Sequence, residues 1–529
     1  MEVIKKLWQN FKTRPDSWFF YGFLLTFPLT IRKVLLYYPI GGTFNEYTGI
    51  YLYLSDIFLI LTLIFWVIPI LCNKNSNLSI YKSLFNALSK PLYILPLLLV
   101  VWSFISTLWS QNTDIALFRS FKLLEFYLLY IYITSAFSPF RKGGIREIFK
   151  IILFLALFEA IIAIFQFVLQ HSIGLFWLKE SLISADLPGV AKIIFNGHKL
   201  IRVYGLFPHP NILGGFLVFS ILVALAYKKM FFIHSIECSV PNSKKYSILT
   251  PHNVPRETFA PGWNNLALGQ TWNIYIIKLL PLFVSALILA LILTFSKSAI
   301  LGLLIGSVYM FYKANIPKDT LTRHLKVFLK YLIVLSLILV LLAIVIKPDF
   351  KSFFIKSLSE RILYLDVSPA RIAMQSVAGG RETIKDYGAL LFGIGSGQSV
   401  SGMQNLKNLN LETWQFQPVH NVFLLIWAEL GFLGLFIFIS WLWKLFHVEH
   451  SKDKICHPER IRQLAEKPKN LIRSLDKARD DMEKYIKAIL LAFIFIMLFD
   501  HYFWDIQQGQ IMLWFIFGSI VTLGYSEKL

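Results

Sequence analysis

Charged residues are scarce in this sequence. Asp, Glu, Lys and Arg make up 16% of the 529 residues, whereas hydrophobic residues make up 56%. The mean hydropathy is +0.59, and soluble domains are rarely so apolar. Many apolar runs approach the roughly 20 residues that a membrane-spanning helix needs. The composition therefore argues against a soluble protein and predicts a polytopic integral membrane protein.

Cysteine is also rare, with only Cys72, Cys238 and Cys456 in the chain. None is spaced with histidines as a metal site would require, and the topology predicted below places all three on the cytoplasmic side, where disulfides are not expected. The first apolar run has no small-residue cleavage site and more spans follow, so a signal peptide is not expected. No internal repeat is visible, which weighs against transporters built from duplicated halves.

Acidic residues are outnumbered by basic ones, 31 to 52, so the formal net charge is +21. In a soluble protein such a charge would suggest nucleic acid. In a membrane protein, cytoplasmic loops rich in Lys and Arg explain it, and no nucleic-acid partner is expected.

The apolar runs predict an all-α fold of about twelve transmembrane helices, because lipid offers no partner to exposed backbone groups. The predicted spans are 18–38, 52–72, 91–110, 115–136, 147–170, 206–227, 274–294, 298–312, 328–347, 419–445, 486–503 and 508–525.

Basic residues orient these spans. The N-terminal segment and the loops 73–90, 137–150 and 313–330 carry clustered Lys and Arg and fall on one side, which identifies the cytoplasmic side. Both termini are then expected inside the cell. The outer connections would be 39–51, 171–205, 348–418 and the short turns near Ser296 and Asp505.

The chain divides into three predicted regions. Residues 1–347 carry nine spans with a cytoplasmic insert at 228–272, and residues 419–529 carry three more with an insert at 446–485. Between them, the loop 348–418 is long for a connection and contains apolar residues at helical spacing. We predict a helical outer loop that folds over the outer face of the bundle, partly in the membrane interface.

Four groups of cations mark the predicted outer face. Arg202 precedes His209 and Asn211 at the mouth of span six, where it could contact lipid headgroups or bind a phosphate. Arg381 precedes the glycines of 393–397. That GxGxG pattern lacks the βαβ context of a dinucleotide site, so the glycines are predicted to permit a tight turn. Glu382 and Asp386 could instead pair with Arg381.

The other two groups lie closer to the membrane. Lys297 occupies the turn between spans seven and eight. Arg119 and Lys122 are three residues apart on one face of span four, and intramembrane cations usually face the bundle interior or a water-filled cavity. Glu125 could neutralise them, which would make their role structural.

His420 and Asn421 stand where the outer loop meets span ten. A histidine at this position is either a helix cap or interfacial residue, or a group that takes part in chemistry. Glu429 lies nine residues further on, on the opposite face of the helix, and is predicted to be a buried structural polar group.

The segment Arg202–Asn211, the Ser296–Lys297–Ser298 turn, Arg381 with Gly393–Gly397, and His420–Asn421 ahead of Glu429–Leu430–Gly431 together resemble the O-antigen ligase family. The resemblance covers roughly residues 18–525, outside the two inserts. That family includes O-antigen ligases, polysaccharide polymerases and protein O-oligosaccharyltransferases. The resemblance implies a GT-C-like architecture in the bacterial inner membrane. It also implies transfer of a glycan from a polyprenyl diphosphate carrier to an acceptor hydroxyl on the periplasmic face, with inversion and without metal or cofactor.

The resemblance also assigns roles to residues. Arg202 and Arg381 match the family's essential arginines, and His420 matches its essential histidine. Arginine forks suit a diphosphate, and a neutral histidine suits a general base. Lys297, which replaces a common arginine, would help to hold the diphosphate, as would the two cations of span four, Arg119 and Lys122. The expected supporting residues are Asn421, Asn211 and His209, the last where the family often has a small or amide residue.

The acceptor cannot be read from the residues. A lipid A–core ligase, a polysaccharide polymerase and a protein O-oligosaccharyltransferase all fit the pattern. A small-solute transporter is the rival from a different class. It fits less well, because the outer charges gather at one surface and not at the membrane midplane.

Overall fold

The computed structural model describes residues 14–72, 89–135, 144–195, 198–239, 279–314, 387–405, 416–448 and 484–524. The predicted span 328–347, Arg381 and most of the predicted outer loop lie outside these residues. So do most of the two predicted cytoplasmic inserts.

The described residues are mostly helical. The helices, in chain order, are α1 (Pro15–Thr26), α2 (Leu54–Cys72), α3 (Pro91–Ile105), α4 (Thr113–Thr134), α5 (Gly144–Leu169), α6 (Pro210–Ser239), α7 (Leu279–Leu293), α8 (Lys297–Ala314), α9 (Tyr387–Phe392), α10 (Ser399–Gly402), α11 (Val422–Phe446), α12 (484–497), α13 (Tyr502–Asp505) and α14 (Gln507–Gly524). Two antiparallel hairpins accompany them: β1 (Arg32–Tyr37) with β2 (Gly49–Tyr53), and β3 (Lys192–Phe195) with β4 (His198–Ile201).

The hairpins correct the all-α prediction, most clearly in the first predicted span. The helix that starts that span ends at Thr26, and Arg32–Tyr37 is a β-strand. Pro28 follows the helix end and has no N–H to continue it. Two other predicted boundaries also shift: the span 486–503 ends at residue 497, and α6 continues to Ser239, inside the predicted insert 228–272.

Three helices of the described segments are long and apolar enough to cross a membrane: Pro91–Trp109, Ile148–Leu169 and Val422–Phe446. Shorter apolar helices cover Leu54–Pro69, Pro210–Ala226 and Leu279–Leu293. These helices agree with a membrane protein, and the count of twelve spans stays a prediction. Aromatic side chains fill the centre of the bundle, where Trp441 of α11 packs against Trp514 of α14 at 4.8 Å between ring centroids.

Helix α11 is interrupted at Gly431, whose φ of 70° and ψ of −175° are not helical. The segment after α9 fills the gap: the N–H of Ile394 donates to the carbonyl of Ala428 at 3.0 Å, and the N–H of Gly395 donates to that of Glu429 at 2.9 Å. Lipid would leave these carbonyls without partners. The glycines at 393, 395 and 397 all have positive φ, so the predicted tight turn is confirmed.

Replacing Gly393 with alanine is expected to destabilise this junction. Its φ is +77°, and an added Cβ would lie 2.2 Å from the carbonyl oxygen of Glu429. We expect a loss of roughly 1–3 kcal/mol, measured as a lower apparent Tm of the purified protein in detergent. Gly402→Ala is the matched control, because its nearest atom would be a flexible side-chain carbon of Ile394 at 3.2 Å. Equal Tm values for the two variants would contradict the expectation.

Candidate functional site

Three connections meet at one end of the bundle: the residues before α6, the residues before α11, and the residues between α12 and α14. Asn421 starts α11, because its side chain accepts the N–H of Leu424 at 3.0 Å. Its amide nitrogen also donates to the carbonyl of Leu498 at 3.0 Å, which fixes the start of α11 beside the connection after α12. The helix cap is therefore Asn421, and His420 precedes the cap.

His420 lies beside two residues of that connection. Its Nδ1 is 4.0 Å from Oδ1 of Asp500, and its side chain is 38% exposed whereas that of Asp500 is 4% exposed. Its ring centroid is 4.9 Å from that of His501, in an edge-on arrangement. His420 is thus the accessible member of a histidine pair with a buried carboxylate next to it.

A chain of hydrogen bonds joins Asp500 to Arg202. The amide nitrogen of Asn211 donates to Oδ2 of Asp500 at 2.8 Å. The amide oxygen of Asn211 accepts from Nη2 of Arg202, and Nε of Arg202 donates to the carbonyl of Thr294 at 2.7 Å. The structure therefore brings three predicted site residues, Arg202, Asn211 and His420, to one place.

Burial and neighbouring charges shift the pKa values of Asp500 and His501. Burial raises the pKa of Asp500 to about 6, although His501 and Arg202 oppose the change. Burial lowers the pKa of His501, but the carboxylates of Asp505, Asp500 and Glu46 together more than offset this, so that the pKa is raised. Nδ1 of His501 is 2.8 Å from Oδ2 of Asp505, and this contact is the largest of the effects that raise the pKa of His501.

His209 supports the same cluster in its neutral form. Burial, followed by the charge of Arg202, lowers the pKa of His209 well below its ordinary value. Its Nδ1 accepts the backbone N–H of Asn211 at 3.3 Å, which requires that nitrogen to be unprotonated. His209 therefore helps to hold Asn211 between Arg202 and Asp500.

Sequence reasoning missed Asp500 and His501, and treated Asp505 only as the marker of an outer turn. A signal was present: three ionisable residues lie at 500, 501 and 505, at and just beyond the end of an apolar run. Ionisable residues in such positions are functional candidates by default. His501 and Asp505 are also four apart, which allows contact across one helical turn.

Arg119 and Lys122 are both engaged within the protein. Nη1 of Arg119 donates to the carbonyl of Asp505 at 2.6 Å, and Nη2 donates to that of Tyr47 at 3.3 Å. Lys122 is buried between Asp56, at 2.7 Å, and Glu125, at 2.8 Å. Arg119 therefore links α4 to the connections that carry Asp505 and Tyr47. Lys122 forms an ion pair with Glu125, which is the structural role predicted as the alternative.

The remaining predicted residues lie at the edges of the cluster. Lys297 is the first residue of α8, and its side chain is exposed. It lies three positions after Thr294, whose carbonyl accepts a hydrogen bond from Arg202. Arg381 lies outside the described residues. Glu429 is buried and accepts hydrogen bonds from Ser399 at 2.8 Å and Trp504 at 3.0 Å, as its predicted structural role requires.

The cluster also has the residue types of a metal site. Within the part of the chain that the structure describes, one ligand atom from each of His420, Asp500 and His501 lies within 4.8 Å of the others. Oδ2 of Asp500 accepts a hydrogen bond from Asn211 at 2.8 Å, and Nδ1 of His501 lies 2.8 Å from Oδ2 of Asp505. The cluster therefore has the groups for proton transfer and for metal ligation, and chelation distinguishes these two uses.

Comparison with protein families gives a match over part of the chain. Residues 282–439 match the sequence model of the O-antigen ligase family, which confirms the resemblance inferred from the sequence. The match implies a membrane glycosyltransferase of the O-antigen ligase or polymerase type. The matched segment contains His420, α8 to α10 and parts of α7 and α11, whereas Arg202 and Asp500 lie outside it. No curated protein matches the chain.

Proposed function

We propose that this protein transfers a glycan from a polyprenyl diphosphate carrier to an acceptor hydroxyl at the periplasmic face of the bacterial inner membrane. The observation that carries the proposal is the chain from Arg202 through Asn211 to Asp500, which ends 4.0 Å from His420. This cluster brings together Arg202, a cation that can bind a phosphate, and His420, a histidine that can accept the proton of a hydroxyl.

His420 is the proposed general base. It removes the proton of the acceptor hydroxyl as that oxygen attacks the anomeric carbon of the donor sugar. The bond between this carbon and the diphosphate oxygen breaks from the opposite side, so the configuration inverts, and polyprenyl diphosphate leaves with the bonding electrons. The imidazolium then releases its proton to water.

Arg202 is the proposed diphosphate ligand. Its contacts with Thr294 and Asn211 orient the guanidinium, whose N–H donors can stabilise the charge that grows on the bridging oxygen. Arg381 and Lys297 would supply further positive charge to the diphosphate. Asp500 would stabilise the imidazolium formed on His420. Arg119 and Lys122 are left out of the phosphate site because of their internal contacts.

The acceptor is proposed as lipid A–core or a similar surface lipid, which would make the protein a ligase. Transfer to a growing glycan, as in a polymerase, and transfer to protein hydroxyls, as in an O-oligosaccharyltransferase, are the alternatives. No contact among the described residues favours one acceptor over the others.

Purified protein in liposomes tests the reaction directly. With a lipid-linked glycan and a panel of acceptors, we expect one polyprenyl diphosphate released for each glycan transferred. Arg202→Ala is expected to abolish this signal, whereas Arg14→Ala, which removes a half-exposed arginine paired with Asp16, is expected to retain it. The acceptor that becomes labelled identifies the enzyme class. Uptake of a small solute without any transfer would support the transporter alternative.

Removing metal ions is expected to leave the reaction unchanged. We expect rates within about twofold of the untreated enzyme after incubation with EDTA and gel filtration, because a positioned base and cations supply the catalytic groups. The measurement is the initial rate before and after chelation. A loss that Zn²⁺ or Mn²⁺ restores would instead assign His420, Asp500 and His501 to a metal centre.

A further inference from the structure

The hairpin of β1 and β2 exposes an unusual amount of apolar surface. Every residue of β1 after Arg32 is exposed, including Val34, Leu35, Leu36 and Tyr37 at 42–56%. Side chains alternate between the faces of a strand, so β1 is apolar on both faces. A contiguous patch of this kind in contact with water is rare and marks an interaction surface.

This surface continues into a stripe on α2. The helix starts directly after β2, where Leu52 is itself 37% exposed, and it exposes apolar side chains at helical spacing along its length: Ile57, Ile60, Ile64, Ile68 and Leu71. In a membrane protein such a stripe faces lipid. The hairpin therefore extends a lipid-facing surface beyond the end of the helix.

The other side of the hairpin is fixed to the protein. Tyr51 and Tyr53 of β2 are buried, and the guanidinium of Arg32 lies 4.3 Å from the ring centroid of Tyr51. In the connection between the strands, Asn45 donates to the carbonyl of Phe416 at 3.0 Å. These contacts give the exposed edge strand a defined position.

The same connection reaches the candidate active site. The carbonyl of Tyr47 accepts a hydrogen bond from Arg119, and the ring centroid of Tyr47 lies 5.7 Å from that of His501. One continuous segment of the chain thus runs from the histidine pair to the apolar stripe of α2.

We propose that the exposed apolar side chains of β1 enter the membrane interface at this end of the bundle and form the lipid-side wall of the path to His420 and His501. The occupant is the interfacial layer of that leaflet, where water and headgroups can bind the unpaired backbone groups of an edge strand and the side chains reach the acyl chains. Tyr37 and Phe44, whose ring centroids are 5.4 Å apart, suit the membrane interface, and the exposed Lys33 can extend toward headgroups. On the proposed function, a lipid-linked donor would then present its diphosphate to the cluster while its chain stays in the leaflet.

Fluorescence in liposomes tests the location without reference to activity. A single NBD label is attached at Leu35→Cys in a protein whose Cys72, Cys238 and Cys456 are replaced by serine. We expect blue-shifted emission that doxyl-labelled lipids quench strongly and iodide quenches weakly. A label at Asp186→Cys, an exposed polar position, is expected to show the reverse. Strong iodide quenching and weak doxyl quenching at position 35 would overturn the proposal, whether or not the protein transfers glycans.

The KM for the lipid-linked donor tests whether β1 lines the path to the histidine pair. With Leu35→Asp, we expect KM to rise roughly tenfold for a donor with a full-length polyprenyl chain, because about 1.4 kcal/mol of apolar contact corresponds to that factor. A donor with a short, water-soluble chain is expected to keep its KM. An equal rise in KM for both donors would contradict the proposal that β1 lines the path of the polyprenyl chain. Absence of transfer by the wild-type protein would refute the proposed function and leave the quenching result standing.

Discussion

Replacing His420 with alanine is expected to lower the rate of glycan transfer by roughly 100-fold or more, since a positioned general base contributes about 10²–10⁴-fold. The side chain is partly exposed beside Asp500 and His501, and Asn421 provides the helix cap in its place. Folding should therefore be little affected. The measurement is kcat at saturating donor, with apparent Tm recorded on the same preparation.

A second histidine, at the other end of α11, provides the control. His447 follows the last turn of α11 at its opposite end, where it is exposed and its Nδ1 lies 2.9 Å from the carbonyl oxygen of Trp443. His447→Ala is expected to retain the wild-type rate. If His420→Ala transfers glycan at the rate of His447→Ala, His420 is not the base.

Replacing Asp500 with asparagine is expected to stabilise the protein at neutral pH while reducing its activity. The pKa of Asp500 is raised from 3.8 to about 6 by burial, so the folded state disfavours the charged form. The resulting stability penalty is absent below about pH 4 and complete above about pH 6. A difference of about two pKa units corresponds to about 3 kcal/mol. Asparagine is neutral, has the same shape and can still accept the hydrogen bond from Asn211.

We therefore expect Asp500→Asn to raise the apparent Tm by several degrees at pH 7.5 and to change it little at pH 4. Asp186→Asn, at an exposed position, is the control and should change Tm at neither pH. A lower Tm for Asp500→Asn at pH 7.5 would contradict the burial argument.

The activity of the same variant tests the role of Asp500. Asparagine cannot stabilise the imidazolium of His420 by charge, so a loss of roughly tenfold or more is expected at pH 7.5. The wild-type rate should fall as the pH drops through about 6, where Asp500 takes up a proton. Full activity of Asp500→Asn at pH 7.5 would remove Asp500 from the proposed mechanism.

The local features of the fold were accessible from the sequence. Apolar runs predicted the long helices from α2 onward, but not the short helices α9, α10 and α13, because hydropathy and helical length depend on neighbouring residues. The glycines at 393, 395 and 397 predicted a tight turn because their conformational freedom is a property of the residue itself. The segment 32–37 was mispredicted, since a short apolar strand has the same composition as the end of a spanning helix.

The partners of the polar residues were less accessible. Lys122 was assigned to a phosphate, and its second carboxylate partner, Asp56, is 66 positions away on another helix. Gly431 interrupts α11 where the segment 393–395 supplies backbone partners. Neither contact leaves a periodic pattern in the sequence.

Composition, basic loops and motif order were enough to indicate a polytopic membrane protein that resembles O-antigen ligases, with Arg202 and His420 as candidate site residues. The packing of the bundle added Asp500 and His501 to them and related Asp500 to Asn211, 289 residues earlier in the chain. It also placed the hairpin beside the histidine pair. Hydropathy and backbone freedom act along the chain, whereas hydrogen bonds and ion pairs depend on which helix ends meet in three dimensions.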